Sequence, residues 1–366
     1  VMDARKAAYG IADYRRASIN LAQTTMRSEI GEQPEVFTRV LELNRDPLED
    51  IARRLAGESF DYALIAARGT SDNAARYAKY LWAAHNRIPV ALAAPSLFTS
   101  YNPPPKLDGA LVVGISQSGE SPDLVAVIAE GRKQGRPTLV ITNEPGSPMA
   151  READMVINIQ AGRELAVAAT KTYTTQLLAV AMLSAVLDPE HTAAELLNLP
   201  AYAESVLNGE EVIAGVAANF ADMRACAVLG RGYNHSTAYE WALKVQEVTY
   251  ALAHPYSTAD FRHGPIAVVE PGFPILAVAP DGPLFDDMLT LLDNVTRQRY
   301  ARSIAISNRP EALETARYGL ALPTMPEWIS PIPAIIAAQL FTYHLGTIKG
   351  LDTDQPRGLS KVTKTI

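Results

Sequence analysis

The sequence predicts an α/β protein whose second half repeats the plan of its first. Two observations carry this: short aliphatic runs alternate with longer helical patterns, the signature of parallel βαβ units, and the pattern recurs at a fixed offset. In the first half, Tyr62–Ala67 reads as a strand entering a turn at Arg68 and Gly69, and Ala74–Ala84 (AARYAKYLWAA) as a helix. Gly109–Ile115 (GALVVGI) is a second strand, leading through Ser116–Asp123 into a helix over Leu124–Gln134. Pro137–Thr142 is a third, ending in the turn NEPGSP. In the second half, the strand Cys226–Gly230 (CAVLG) leads through RGYNHS into a helix over Thr237–Tyr250, and the strands Pro274–Ala279 and Ser303–Ser307 follow. Gly69 pairs with Gly232 at an offset of 163, and Ile141 and Asn143 pair with Ile306 and Asn308 at 165. Two registers agreeing this closely indicate an internal duplication. The boundary falls near residues 190–210, which lack Gly/Ser richness and read as a connecting helix pair.

Composition limits the function classes. A chain of 366 residues with 48% hydrophobic and 20% charged residues is long enough for two domain-sized cores. A net charge of −7 argues against a general nucleic-acid surface, because counterion release needs clustered Lys and Arg. The apolar stretch Leu177–Leu187 is too short to cross a bilayer, and the charged N-terminus lacks a signal-peptide core, so no membrane association and a cytoplasmic location are expected. A single cysteine, Cys226, excludes an intramolecular disulfide and cysteine-based metal clusters. His85, His191, His235, His254 and His344 show no metal-ligand spacing, so no metal and no cofactor are expected.

In parallel α/β sheets ligands bind at the carboxyl ends of strands. The richest loop there is Ser116-Gln117-Ser118-Gly119-Glu120-Ser121, where three hydroxyls, an amide and a helix start opened by Pro122 converge. Such a loop either caps its helix or offers N–H and O–H donors and the positive dipole end to a phosphate or carboxylate. Gly69-Thr70-Ser71 repeats that chemistry on a smaller scale, and hydroxyls of this kind are also ordinary N-caps. Lys171, opening the helix through Leu187, opposes the helix dipole, so it either answers a nearby anion or is solvated. Glu240, Lys244 and Glu247 share one helical face, and the spacing alone reads as a solvent-facing pair. Phe261-Arg262-His263-Gly264-Pro265 sets a histidine in a turn fixed by Gly and Pro. The segment Asp352–Lys361 (DTDQPRGLSK) either frays or folds back over the strand ends, where a partly desolvated Lys361 gains a lowered pKa suited to imine chemistry.

These residues resemble the sugar isomerase (SIS) domain family, and within it the isomerase half of glucosamine-6-phosphate synthase and the SIS-type glucosamine-6-phosphate deaminases. The resemblance runs from about Met26 to the end through EIGEQP (Glu29–Pro34), RGTS (Arg68–Ser71), SQSGES (Ser116–Ser121), AGRELAVAATK (Ala161–Lys171), GRG with EWALKVQEVTY (Gly230–Tyr250), FRHGP (Phe261–Pro265) and DTDQPRGLSK. It implies two tandem SIS subdomains, each a five-stranded parallel sheet flanked by helices in a flavodoxin-like three-layer α/β/α arrangement. The expected division is an N-terminal helical segment over 1–45, a first subdomain over 46–195 and a second over 196–366 with an active-site tail. The resemblance further implies a sugar-phosphate site in which Thr70, Ser71, Ser116, Gln117, Ser118 and Ser121 surround the phosphate with Val167 and Ala169 nearby. Glu247 is then the base moving a proton between C1 and C2, His263 opens the sugar ring from the neighbouring subunit of a homodimer, and Lys361 forms an imine with the ketose. Glu164 and Lys244 support the site.

The chain also departs from the synthase pattern. Gln246 stands in place of a lysine, Ala169 in place of a serine, and the tail after Lys361 differs. The first 25 residues are too few for a glutaminase domain, so the expected reaction is deamination and isomerisation of glucosamine-6-phosphate to fructose-6-phosphate and ammonia, rather than glutamine-dependent synthesis by this chain alone. The alternatives are an aminotransferase-like isomerase supplied with ammonia by a separate glutaminase, or a non-catalytic phosphosugar sensor. The sensor lacks support, because residues 1–40 are too short and insufficiently basic for a helix-turn-helix segment.

Overall fold

The computed structural model describes residues 24–188 and 193–361. The first 23 residues of the helical segment expected over 1–45 lie outside them. The described residues form two compact units: residues 33–164, 171–188, 193–200 and 360–361 in one, and residues 24–32, 165–170 and 201–359 in the other.

The first unit is built on strands β1 (Tyr62–Ala66), β2 (Val90–Leu92), β3 (Ala110–Ile115), β4 (Thr138–Thr142) and β5 (Met155–Asn158). They pair in the order β2-β1-β3-β4-β5, all parallel. β3 and β4 are buried at every position, as their unbroken aliphatic runs require of strands covered on both faces. The helix after β1 spans Gly69–His85, starting five residues before the expected Ala74. Gly69 takes φ +51°, a left-handed value glycine adopts without strain, so the polar residues Thr70–Asn73 already form the first turn. The helix Lys171–Leu187 is buried from Lys171 to Ala185 and packs on the helices Gly69–His85 and Gln33–Leu43.

The second unit repeats the plan with β6 (Ala225–Leu229), β7 (Leu252–Tyr256), β8 (Pro274–Val278), β9 (Arg302–Ser307) and β10 (Tyr318–Ala321), ordered β7-β6-β8-β9-β10 and all parallel. Identical order and direction in both sheets bear out the tandem architecture. The helix Pro331–Ile348 is buried along almost its whole length and packs on the helices His235–Thr249 and Glu210–Ala218. The stretch expected to be a helix pair holds a 3-10 turn over Ala193–Asn198 followed by the helices Leu199–Asn208 and Glu210–Ala218. Among the described residues, no helix is long and apolar enough to cross a membrane.

The five strands per sheet that the resemblance implies are present; the four that residue pattern alone does not locate, β2, β5, β7 and β10, are the four sheet edges. An edge strand is flanked on one side only, so it does not need the aliphatic run that marks a central strand.

Candidate functional site

In each sheet the strand order reverses beside one strand, between β1 and β3 in the first and between β6 and β8 in the second. Loops leaving such a pair diverge and open a crevice at the carboxyl edge.

In the first unit the loops of that crevice are Arg68–Ser71 and Ser116–Ser121. Ser71 is buried and its Oγ accepts from Gln176 Nε2 at 2.9 Å. Ser116 is buried, and its Oγ accepts the Gly119 N–H at 3.1 Å. Gly119 has φ +61°, and a Cβ there would fall 2.1 Å from Ser147 Oγ, so both the conformation and the space demand glycine. Ser121 stands at the N-cap of Pro122–Lys133 without using its hydroxyl as a cap. Arg68 Nε and Nη2 both bond Asp123 Oδ2, at 2.9 and 2.8 Å, and Asp123 is buried, so part of the guanidinium is already engaged.

A polar cavity of about 440 Å³ adjoins this loop, lined by Gln117, Asn143, Glu144, Asn158, Gln160, Gly162, Arg163 and Glu164. Only Gln117 and Glu164 were singled out from sequence. Asn143 had drawn notice as half of a repeat register, and its structural task is to hold the cavity wall: its Oδ1 accepts the Ala161 N–H and its Nδ2 donates to Gly162 O. Arg39 Nε donates to Gln160 O at 3.0 Å and fixes the same wall. Glu164, whose side chain is fully buried, accepts from Thr172 N at 3.1 Å, Thr172 Oγ1 at 2.7 Å and Lys361 Nζ at 2.5 Å. The tail is therefore ordered as far as Lys361. Lys171 is buried at 3% exposure, which removes the solvated reading.

In the second unit, Glu240, Lys244 and Glu247 correct the solvent-facing expectation. Glu240 is fully buried and Lys244 1% exposed, with Nζ 3.4 Å from Glu240 Oε1 and hydrogen-bonded to Glu247. The neighbouring apolar positions draw this face inward, so the one ammonium is shared between two carboxylates instead of facing water. Burial alone would lower the Lys244 pKa, but the two carboxylates outweigh it and push it up, so Lys244 stays an ammonium. Glu247, at 21% side-chain exposure, is the accessible member. Gln246 is exposed and donates to Ala242 O and Ala253 O.

His263 ends the helix Thr258–Arg262 and is exposed. That helix is pinned by Asp287, which bonds Thr258, Arg231 and Arg262. Val167 donates its N–H to Asp354 O at 3.0 Å, and Val167 and Ala169 are half-buried.

The switch point of the second sheet is filled by the chain itself. A Cβ on Gly282 would meet the Glu327 carboxyl at 2.5 Å, and one on Gly232 would meet Glu327 Oε1 at 3.3 Å. Burial and the nearby Asp281 raise Glu327 to about 7. A carboxyl thus stands at the place where the first sheet offers hydroxyls and N–H groups. Among the described residues, no cluster of His, Cys, Asp and Glu suits a metal ion. Burial pushes the Cys226 thiol up to about 12, far from nucleophilic use.

The SIS domain family matches residues 61–186 and 219–349. A glutamine–fructose-6-phosphate aminotransferase [isomerizing] of Thermococcus kodakarensis is 33% identical over 92% of this chain and 57% of its own length. The chain therefore spans under three fifths of that relative. The solved C-terminal domain of glucosamine-fructose-6-phosphate aminotransferase from Francisella tularensis superposes with a TM-score of 0.83 at 31% identity, covering 92% of this chain and 99% of that one. A glucosamine-6-phosphate deaminase from Thermotoga maritima, at 20% identity and TM-score 0.77 over 93% of this chain and all of its own, shares the fold. Two matched segments, one on each duplicated sheet, and relatives above 30% identity across nine tenths of the sequence establish that the chain belongs to the SIS domain family.

Proposed function

We propose that the chain is an aldose–ketose isomerase of sugar 6-phosphates that releases ammonia from an aminosugar, converting glucosamine-6-phosphate and water to fructose-6-phosphate and ammonia. The observation that supports this reading most is within the first unit: the hydroxyl-rich Ser116–Ser121 loop adjoins a polar cavity walled by Glu164, which holds the Lys361 amine. Thr70, Ser71, Ser116, Gln117, Ser118 and Ser121 grip the phosphate through hydroxyls and backbone N–H groups at helix starts. Fixing the dianion turns a slow proton transfer into an effectively intramolecular one. Glu247 takes the C2 proton of the opened aldose and returns it to C1, which leaves an imine at C2. Lys361, having passed a proton to Glu164, adds to that carbon and ammonia leaves; water then hydrolyses the lysine imine to the ketose and free Lys361. Lys244 keeps Glu247 oriented, and Val167 and Ala169 border the sugar. His263, exposed on its own subunit, opens the ring for a neighbour in a homodimer.

A second reading reverses the amine flow, with fructose-6-phosphate accepting ammonia. Its support is that relatives above 30% identity carry the name of glutamine–fructose-6-phosphate aminotransferases. Incubating the purified chain with glucosamine-6-phosphate, or with fructose-6-phosphate and ammonium, and following ammonia and both sugars separates the two. Borohydride added during turnover should reduce the imine and attach the sugar phosphate to Lys361. Absence of turnover in both directions, with no adduct, overturns the proposal.

A further inference from the structure

The helix Thr25–Gly31 has seven residues, too few to persist on helix propensity alone, yet side chains from distant parts of the sequence fix it. Its first N–H groups, on Thr25 and Met26, donate to the two carboxylate oxygens of Asp354 at 2.9 and 2.7 Å. These are groups that a helix start leaves unsatisfied, so Asp354 completes the cap that Thr24 begins. One turn later Glu29, 3% exposed, accepts the N–H groups of Leu165 and Ala166. The backbone carbonyl of Asp354 accepts the next N–H of that loop, from Val167, at 3.0 Å. Gln339 Nε2 holds the far end through Thr170 O at 3.2 Å. Three segments separated by more than a hundred residues are thereby joined through two carboxylates. One segment is the loop Leu165–Thr170, which follows Glu164 and carries Val167 and Ala169; another is the tail that continues to Lys361. A carboxylate buried as deeply as Glu29 is costly to desolvate, and the loop's N–H groups offset that cost only in this one conformation.

We propose that Glu29 and Asp354 are positioning residues that set the conformation of the Leu165–Thr170 loop and of the Lys361 tail. The catalytic consequence rests on the function proposed above; the structural one does not. The test is hydrogen exchange on the full chain, comparing wild type with Glu29→Ala, Glu29→Gln and Asp354→Asn. In Glu29→Ala the amides of 165–167 should exchange at least roughly tenfold faster, with β6 and β8 unchanged, since the loss is local. Gln keeps one acceptor oxygen and should fall between the two. Asp354→Asn should quicken exchange at residues 25–26 and through the tail. With sugar phosphate as substrate, Glu29→Ala should raise KM about tenfold and lower kcat less than about threefold, with partial rescue by Gln. Unchanged exchange at 165–167 overturns the proposal, and so does a uniform rise across the second sheet, which would mark a global role. If no sugar phosphate turns over, the proposed function fails while the exchange data still decide the clamp.

Discussion

Replacing Lys244 with Met asks whether the buried Glu240–Lys244–Glu247 triad is held by charge. Lys244 Nζ lies 3.4 Å from Glu240 Oε1, with the two side chains 1% and 0% exposed. At an effective dielectric constant of about 20, one such pair is worth about 5 kcal/mol. Breaking a buried pair by removing one partner costs roughly 3–5 kcal/mol, so a loss of that size is expected at pH 8. Met retains most of the aliphatic stem, which keeps the loss from being a cavity effect. Without its ammonium partner, Glu240 is buried beside a second carboxylate, and its pKa in the folded state rises above that in the unfolded chain. The folded state then binds a proton that the unfolded state releases, so the deficit is full above the raised pKa and shrinks as pH falls from 8 towards 5. Adding Glu240→Gln should remove the buried charge and recover at least half of the loss. The assay is urea unfolding followed by far-UV circular dichroism at several pH values, on wild type and both variants. A Lys244→Met protein within about 1 kcal/mol of wild type at pH 8 refutes the reasoning. A deficit that neither varies with pH nor recovers in the double variant refutes it equally.

Glu247→Gln should lower kcat by about 10³-fold and leave sugar-phosphate affinity within a few-fold by calorimetry; equal loss of both would remove Glu247 as the base. Gly119→Ala, whose Cβ would fall 2.1 Å from Ser147 Oγ at φ +61°, should weaken phosphosugar binding at least about tenfold, and unchanged binding would show the loop is not the phosphate cradle. Glu327, raised to about 7 by burial and Asp281, favours folding at acid pH, and that contribution is lost as pH rises through the neutral range. Glu327→Gln should therefore flatten the pH dependence of the melting temperature and be more stable than wild type above pH 8 by about 1 kcal/mol, allowing for solvent screening of a partly exposed carboxyl. Identical pH profiles would place that carboxyl in water.

How much of this was legible from residues alone follows from where each signal resides. The six central strands announce themselves because a strand buried on both faces needs an aliphatic run, as in LVV of β3 and LVI of β4. The duplication, the glycine turns and the hydroxyl loop are equally local, since a left-handed φ or a helix start is set within a few residues. The edge strands β2, β5, β7 and β10 carry no such run, because flanking on one side only imposes no such pattern.

The charged residues mark the other limit. Glu240, Lys244 and Glu247 have the spacing of a surface pair, and only the packed fold shows them excluded from water. The sequence leaves Lys171 open between solvent and interior, and the burial of its helix decides for the interior. Asp354 caps a helix start more than three hundred residues earlier, and Glu164 holds Lys361 across almost two hundred. The central strands, the turns and the motifs were legible in the chain, because those depend on neighbours along it. The edge strands, the burial of charge and the pairing between distant side chains depend on neighbours in space, which the folded protein alone reveals.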